Sequence, residues 1–282
     1  MSEDEGLSVW QVVERARHPL RPYAADYIQR LTPDFVELHG DRLSGDDPAL
    51  VAGLATWHDR TVVWLGQQKG RNLAERVAHN WGMMHPEGFR KALRIARLAA
   101  KFGFPIISLV DTPGAFPGAA AEERGIASAI GTAIMEWFQI PVPVVAAVIG
   151  EGGSGGALGL AVADRVLMLR NATYSVAAPE AAASIVWRDN SRKVEAAQQL
   201  QLTSGDLLAM GLVEEVIAEP EGGAHLDPDL AATLLDEALW RNLEPLLGLS
   251  GEHLLEQRYD RYRYIDSLVG ADPRFGPKVE PR

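Results

Sequence analysis

Pro143-Val-Val-Ala-Ala-Val-Ile149 runs straight into Gly150-Glu-Gly-Gly-Ser-Gly-Gly156, and this stretch decides the fold. An unbroken apolar run of this length reads as a strand buried on both faces. Five of the next seven residues are glycine, which reads as a loop before a helix from about Ala157 to Ala163. The same order occurs upstream. Pro105-Ile-Ile-Ser-Leu-Val-Asp111 ends in Thr112-Pro-Gly-Ala-Phe-Pro-Gly118, and a single helix is expected from about Ala120 to Phe138. Two units of strand, glycine-rich loop and helix predict a parallel α/β core.

The flanking sequence fits around that core. Val9, Val12, Val13 and Ala16 have helical spacing, and Pro19 and Pro22 break the basic segment that follows. Val51 to Trp57 and Thr61 to Leu65 read as a hairpin joined by His58-Asp59-Arg60, followed by a polar loop from Gln67 to Arg71. Glu87 to Phe102 is an amphipathic helix with Phe89, Leu93, Ala96 and Ala100 on one face. Val166 to Leu169 and Tyr174 to Val176 are short strands. Residues 231–268 are helical, and the proline-bearing end, 272–282, is expected to fray. The division expected is a short helix and basic segment at 1–24, a core at 25–230 and a helical tail at 231–282.

Composition narrows the chemistry. The chain has 282 residues, 47% apolar and 23% charged, ordinary values for a globular protein. Its 27 Lys and Arg against 38 Asp and Glu give a formal charge of -11, a poor match to a nucleic-acid backbone. There is no Cys, which excludes a disulfide, a thiolate zinc site and a cysteine nucleophile in this chain. The seven His residues form no H-E-x-x-H or i,i+4 pair, so no metal site is expected. The acidic start and the lack of a long apolar run lead to the expectation of a soluble, cytoplasmic protein without a membrane span.

The glycine loops carry the candidate chemistry. Glycines at the start of a helix let a ligand approach amide groups that have no partner within the helix. Such a place receives a phosphate or an oxyanion; it also serves as a plain packing turn. Gly152-Gly-Ser-Gly-Gly156 matches G-x-S-x-G between strand and helix, so a serine hydrolase is an alternative, with Ser154 as nucleophile and His225 as a possible base. The two loops, at the carboxyl ends of neighbouring strands, are expected to face one crevice. Arg17, Arg21, Lys69 and Arg71 either hold an anion there or form ordinary surface pairs.

The chain resembles a known family, the alpha subunit of bacterial acetyl-CoA carboxylase carboxyltransferase. The resemblance rests on ordered segments over roughly residues 15 to 228: Arg17-His-Pro-Leu-Arg-Pro-Tyr23, Glu37-Leu-His-Gly-Asp-Arg42, Gly66-Gln-Gln-Lys-Gly-Arg71, Pro86-Glu-Gly-Phe-Arg-Lys-Ala92, Asp111 to Gly118, Glu122-Glu-Arg-Gly125, Gly150 to Ala157, Tyr174-Ser-Val176 with Pro179-Glu180, and Glu219-Pro-Glu-Gly-Gly-Ala-His225. It implies a crotonase (ClpP-like) superhelix of repeated ββα units. It also implies transfer of a carboxyl group from carboxybiotin, carried on a separate biotin carboxyl carrier protein, to acetyl-CoA, giving malonyl-CoA for fatty-acid synthesis. A zinc-ribbon beta subunit would share the active site in an α2β2 assembly and hold most of the CoA, with biotin carboxylase as a further partner.

The resemblance assigns the backbone amides of Gly155, Gly156 and Ala157 to an oxyanion hole. Gly114, Ala115, Phe116, Pro117, Gly118, Glu151, Gly152 and Gly153 would line the biotin and CoA pocket. Both half-reactions place negative charge on a carbonyl-type oxygen, so amide donors suffice without a side-chain base. A larger side chain at Gly156 is expected to stop transfer while the chain still folds. A hydratase of the same fold is an alternative; it needs two carboxylates, and only Glu180 stands where one is expected. A non-catalytic scaffold subunit is another. The sequence departs from the family at its short N-terminal extension, at Ile126, and at Ala178, Ala181 and Ala182.

Overall fold

The computed structural model describes residues 6–271, with side-chain surroundings through residue 265; the end expected to fray, 272–282, lies outside the described residues. Eight strands form one mixed sheet: β1 Val36–Glu37, β2 Leu50–Trp57, β3 Arg60–Gln67, β4 Ile106–Thr112, β5 Val144–Gly153, β6 Arg165–Leu169, β7 Thr173–Ser175 and β8 Glu215–Ile217. Their order is β1-β2-β3-β4-β5-β6-β8, with β7 beside the end of β5. The first three pair antiparallel, and every later pairing is parallel. The hairpin is tighter than its expected three-residue link. Trp57 pairs with Arg60, and only His58 and Asp59 turn, at φ +45° and +57°, the double left-handed geometry that matches strand twist.

The central parallel strands are mostly apolar along their middles because helices cover them. Helix Pro86–Phe102 buries Phe89, Leu93 and Ala96 against the sheet and ends on Gly103 at φ +73°. The expected helix from 120 to 138 is two, Ala119–Glu123 and Ile126–Trp137, because Gly125 between them is left-handed at φ +78°. The glycine-rich loop expected at 150–156 is not a loop. β5 continues through Gly153, pairing with β7, and helix Ser154–Ala161 starts at the next residue. Glycine composition suggested a loop, yet the β7 partner keeps those residues extended.

β5 carries a bulge. Val110 pairs with Val148 and Thr112 with Gly152, so Asp111 alone faces Ile149, Gly150 and Glu151. Such an insertion redirects the strand end. Here it sends β5 toward β7 and into the glycine-led helix.

Helices Pro228–Leu243 and Gly251–Ala271 close the fold, and Leu235, Leu239, Leu243 and Leu254 belong to the same core cluster as the strands. Arg258 anchors the last helix. It is fully buried, with Nε and Nη2 on the Asp164 carboxylate at 2.9 and 2.7 Å and further bonds to the carbonyls of Trp137, Ile140 and Val142. Asp164 in turn accepts from the Val144 amide at 2.8 Å, at the start of β5. Replacing Arg258 with Leu leaves a buried carboxylate without its cation. We expect a loss of about 3–5 kcal/mol in denaturant unfolding, and Arg258→Leu combined with Asp164→Asn to lose less than the sum of the two single changes.

Candidate functional site

The site forms where β5 becomes a helix. Ser154 takes φ +52°, an unusual left-handed conformation for a non-glycine residue, and this kink turns the strand into helix Ser154–Ala161. Gly153, at the helix start, provides no side-chain cap, so the amides of Ser154, Gly155 and Gly156 are left without an intrahelical acceptor.

Glycine is required at two points here by proximity. A Cβ on Gly153 would lie 2.1 Å from the Pro113 carbonyl oxygen, and one on Gly156 would lie 2.3 Å from the Gly114 carbonyl carbon and 2.5 Å from the Ala115 amide nitrogen. The two segments that the sequence placed at one crevice therefore touch backbone to backbone. Gln67, fully buried at the end of β3, ties them together. Its Oε1 accepts from the Asp111 amide at 3.1 Å and its Nε2 donates to the Gly156 carbonyl at 2.8 Å.

A chain of charges supports the turn from beneath. Lys69 Nζ lies 2.7 Å from Asp111 Oδ1 and 2.9 Å from Glu151 Oε2. The other Glu151 oxygen accepts from Arg17 Nε at 2.7 Å, and Arg17 reaches Glu180 at 2.7 and 3.2 Å. Asp111 Oδ1 also accepts from the Glu151 amide at 2.9 Å, inside the bulge; Gly150 gives it room, since a Cβ there would lie 2.4 Å from that oxygen. Burial works against the charged form of Glu151, but Lys69 and Arg17 outweigh it and lower the pKa from 4.5 to about 2. Burial pushes Asp111 up, against Lys69. Beside this chain, Arg21 donates to the Ile149 carbonyl at 2.7 Å and to both Glu219 oxygens at 2.8 Å, and Glu219 is likewise held at about 2, against its burial, by Arg21 and two amides.

The residues read from the sequence fall into three groups. Gly155, Gly156 and Ala157 form the first turn of the helix, and Gly153 precedes it. Gly114, Ala115, Phe116, Pro117 and Gly118 form the facing rim. Phe116 stacks on His85 at 4.2 Å and fills the space beside Gly118, while Gly152 makes room for the Tyr174 ring. Glu151 is an ion-pair partner, both of its oxygens engaged.

Several expectations change. Arg17, Arg21 and Lys69 are not free anion ligands: Lys69 lies inside the charge chain, Arg17 is its half-buried outer end, Arg21 forms a buried pair with Glu219 beside it, and Arg71 pairs with Asp26. The polar loop expected from Gln67 begins with a buried strand residue. Gly156 is a packing requirement, so a larger side chain there disrupts the fold of the turn as well as any ligand. Ser154 has the strained setting of a nucleophile, but His225 stacks on His18 at 3.7 Å, and among the described residues no hydrogen bond joins it to Ser154. Glu180 is engaged by Arg17. Sequence reading missed Gln67, Asp111 and Glu219 as members of the site. The available signal was polar residues at the ends of otherwise apolar strands.

Comparison with known proteins follows the same line. A family model described as acetyl co-enzyme A carboxylase carboxyltransferase-like matches residues 3–266. The chain belongs to this family. It is 53% identical over 265 residues to the acetyl-coenzyme A carboxylase carboxyl transferase subunit alpha of Sorangium cellulosum, covering 94% of this chain and 84% of that protein. It is 52% identical to the subunit of the same name from a strain of Thermus thermophilus, covering 94% and 85%. Carboxyltransferase activity in the alpha-subunit role, and membership of a multi-subunit complex, accord with these names. Among solved structures, a Pseudomonas malonate decarboxylase hetero-tetramer in complex with coenzyme A superposes with TM-score 0.67 at 18% identity, over 86% of this chain and 96% of that one. Transcarboxylase 12S with methylmalonyl-coenzyme A superposes with TM-score 0.64 at 21% identity, over 86% and 44%. The fold is therefore the crotonase-type α/β fold expected from the motifs. No described helix is long and apolar enough to cross a membrane.

The charge chain sets a pH dependence. Glu151 has a folded pKa below its usual value, so it contributes stability above about pH 4.5 that is lost as pH falls toward about 2. Lys69→Met leaves Asp111 and Glu151 facing each other without the shared cation, at a cost of about 3–5 kcal/mol near neutral pH. The two carboxylates then bind protons more readily in the folded state than unfolded, so the deficit against the parent chain shrinks as pH falls. Urea unfolding at pH 7 and pH 4 measures both; a deficit that is equal at the two pH values contradicts the assignment.

Proposed function

We propose that this chain is the alpha half of a cytoplasmic acetyl-CoA carboxyltransferase. In this reading, residues 25–230 form the catalytic core, flanked by 1–24 and 231–282. The acceptor is acetyl-CoA and the product malonyl-CoA. A zinc-ribbon beta subunit completes the active site and binds most of the CoA, in an α2β2 assembly served by a biotin carboxyl carrier protein and biotin carboxylase. The observation that carries the reading is the uncapped, glycine-led start of helix Ser154–Ala161 pressed against Gly114 and Ala115. It is an amide cradle built without a side-chain acid or base.

The residues present fit a carbonyl-type ligand. The amides of Gly155 and Gly156 are the donors, while that of Ala157, four residues after the N-cap Gly153, closes the first intrahelical bond; a bulky side chain on the turn would take the space beside them. Carboxybiotin, when bound, supplies the carboxyl group. The chain's own part is electrostatic: its fixed amides stabilise negative charge on a carbonyl-type oxygen at no reorganisation cost, each worth about 3–4 kcal/mol in comparable sites. Gln67 and the Lys69–Glu151 pair hold the turn in place. The fixed rim from Gly114 to Gly118 shapes the entrance.

The test removes one donor without crowding the turn. A Cβ at Gly155 meets only Ile130 Cγ2 at 3.3 Å and Cδ1 at 3.7 Å, so Gly155→Ala is expected to fold and to keep activity within a few-fold. Gly155→Pro deletes the amide hydrogen in the first helical turn; because the ring also restricts Ser154, which precedes it in a left-handed conformation, the variant complex is first checked for a parent-like circular dichroism spectrum and assembly. With the purified beta partner, biocytin carboxylation from malonyl-CoA should fall roughly 10²–10³-fold in kcat for Gly155→Pro. Near-normal turnover of a folded Gly155→Pro complex would refute the amide assignment. Absence of turnover in the unaltered complex would favour the scaffold alternative, and ester cleavage by the chain alone, lost in Ser154→Ala, the hydrolase.

A further inference from the structure

A cleft of about 220 Å³ opens beside the charge chain, between Tyr23, Arg76, Trp81, Lys69 and Pro113. Clefts that enclose drug-sized ligands start at about 300 Å³. This one is of a size for a small head group. Lys69, Arg17 and Glu151 reach its wall already paired with one another or with Asp111 and Glu180.

Arg76 is different. Its Nε donates to the Gly70 carbonyl at 3.1 Å, and among the described residues no carboxylate pairs with it. A guanidinium carries five N–H donors in a planar fork that matches a carboxylate, so its end is available to a ligand. Tyr23 is 5% exposed. Burial and Asp111 raise its pKa, against the nearby charges of Lys69, Arg76 and Arg71, and the phenol stays an O–H donor at neutral pH.

The third wall is strained. Asn80, Trp81 and Gly82 are consecutively left-handed, at φ +50°, +52° and +78°. For non-glycine residues that geometry costs roughly 1–2 kcal/mol each. The turn is clamped by its neighbours: a Cβ on Gly82 would lie 2.8 Å from the Asp111 carbonyl oxygen and 2.9 Å from Lys69 Cγ. Its result is a large indole, 40% exposed, placed on the wall of a cationic cleft. Strain that persists in this way belongs to sites where a side chain is being aimed.

We propose that this cleft is a carboxylate-binding subsite, in which the Arg76 guanidinium and the Tyr23 hydroxyl hold a planar carboxylate against the Trp81 ring, and that the carboxylate is the one transferred in the reaction proposed above. The second half of this inference rests on the carboxyltransferase reading; the first does not. The cleft shares Arg17, Pro113 and Glu151 with the neighbouring hollow bordered by Gly152 and Gly153, so a carboxylate held there sits beside the end of β5 that leads into the glycine-led turn. Arg76 contacts the group before and after transfer, so it acts on binding more than on turnover.

Two measurements separate the halves. In the complex with the beta partner, malonyl-CoA carries the carboxylate and acetyl-CoA does not. Arg76→Gln is expected to raise the KM for malonyl-CoA roughly ten- to a hundredfold, to leave inhibition by acetyl-CoA unchanged, and to be partly rescued by Arg76→Lys. With the chain alone, malonate serves as the probe: isothermal titration of the parent chain should show saturable binding that disappears in Arg76→Gln, with quenching of indole fluorescence that disappears in Trp81→Phe. Malonate binding lost in Arg76→Gln, together with an unchanged KM for malonyl-CoA, overturns the link to the transferred group. No malonate binding and no change in KM overturns the subsite itself. Malonate binding in a chain whose complex shows no turnover supports the subsite and counts against the carboxyltransferase reading.

Discussion

The backbone of residues 153–156 lies directly on the backbone of residues 113–115, with contacts that no Cβ could occupy. This one approach fixes much else. It requires glycine at 153 and 156, and it brings the ends of two neighbouring parallel strands to one place. It also makes the first amides of helix Ser154–Ala161 the donors that the turn presents. Amides fixed in this way are donors whose direction does not depend on a rotamer. For a reaction that places charge on an oxygen, that rigidity is the useful property.

Backbone contact is neutral and short-ranged, so something must press the two segments together. The interior chain of charges does this. Lys69 joins Asp111 of β4 to Glu151 of β5, Arg17 extends the link to Glu180, and Gln67 bonds to both segments. Buried ion pairs seldom add stability over an apolar core of the same shape, because desolvation offsets the attraction. Their consequence here is geometric. An apolar core would tolerate sliding of β5 against β4, whereas Asp111 accepting from the Glu151 amide and from Lys69 holds one register of the bulge. The Arg21–Glu219 pair does the same from the other side through the Ile149 carbonyl.

Sequence reading reached the parallel core because its signal is local. Val144 to Ile149 and Ile106 to Val110 are apolar runs that only a covered strand can bury, and Phe89, Leu93 and Ala96 repeat at helical spacing. It misjudged Gly150 to Gly153, since glycine lowers strand propensity and the compensating β7 partner lies further along the chain, beyond the helix and β6. It misjudged Gly125, which breaks a helix by adopting a positive φ that composition alone does not reveal. The ion chain was the least legible part. Its members are separated by 82, 134 and 163 positions, and each looks like an ordinary surface charge when read singly. The motifs that carried the family resemblance contain these residues, so the resemblance marked the segments, while the ion pairs that link them depend on the fold.

Ser154 illustrates how much the turn constrains the residue within it. The position is left-handed and exposed, where glycine would be the relaxed choice. A β-branched residue would be strained there, and a large one would project over the amides. Serine keeps the kink with a small polar side chain, and glycine on either side lets the neighbouring backbone absorb the bend. The same geometry would serve a nucleophile if a base stood beside it. His225 instead stacks on His18, so the left-handed kink at Ser154 serves the turn from β5 into the helix rather than its own hydroxyl.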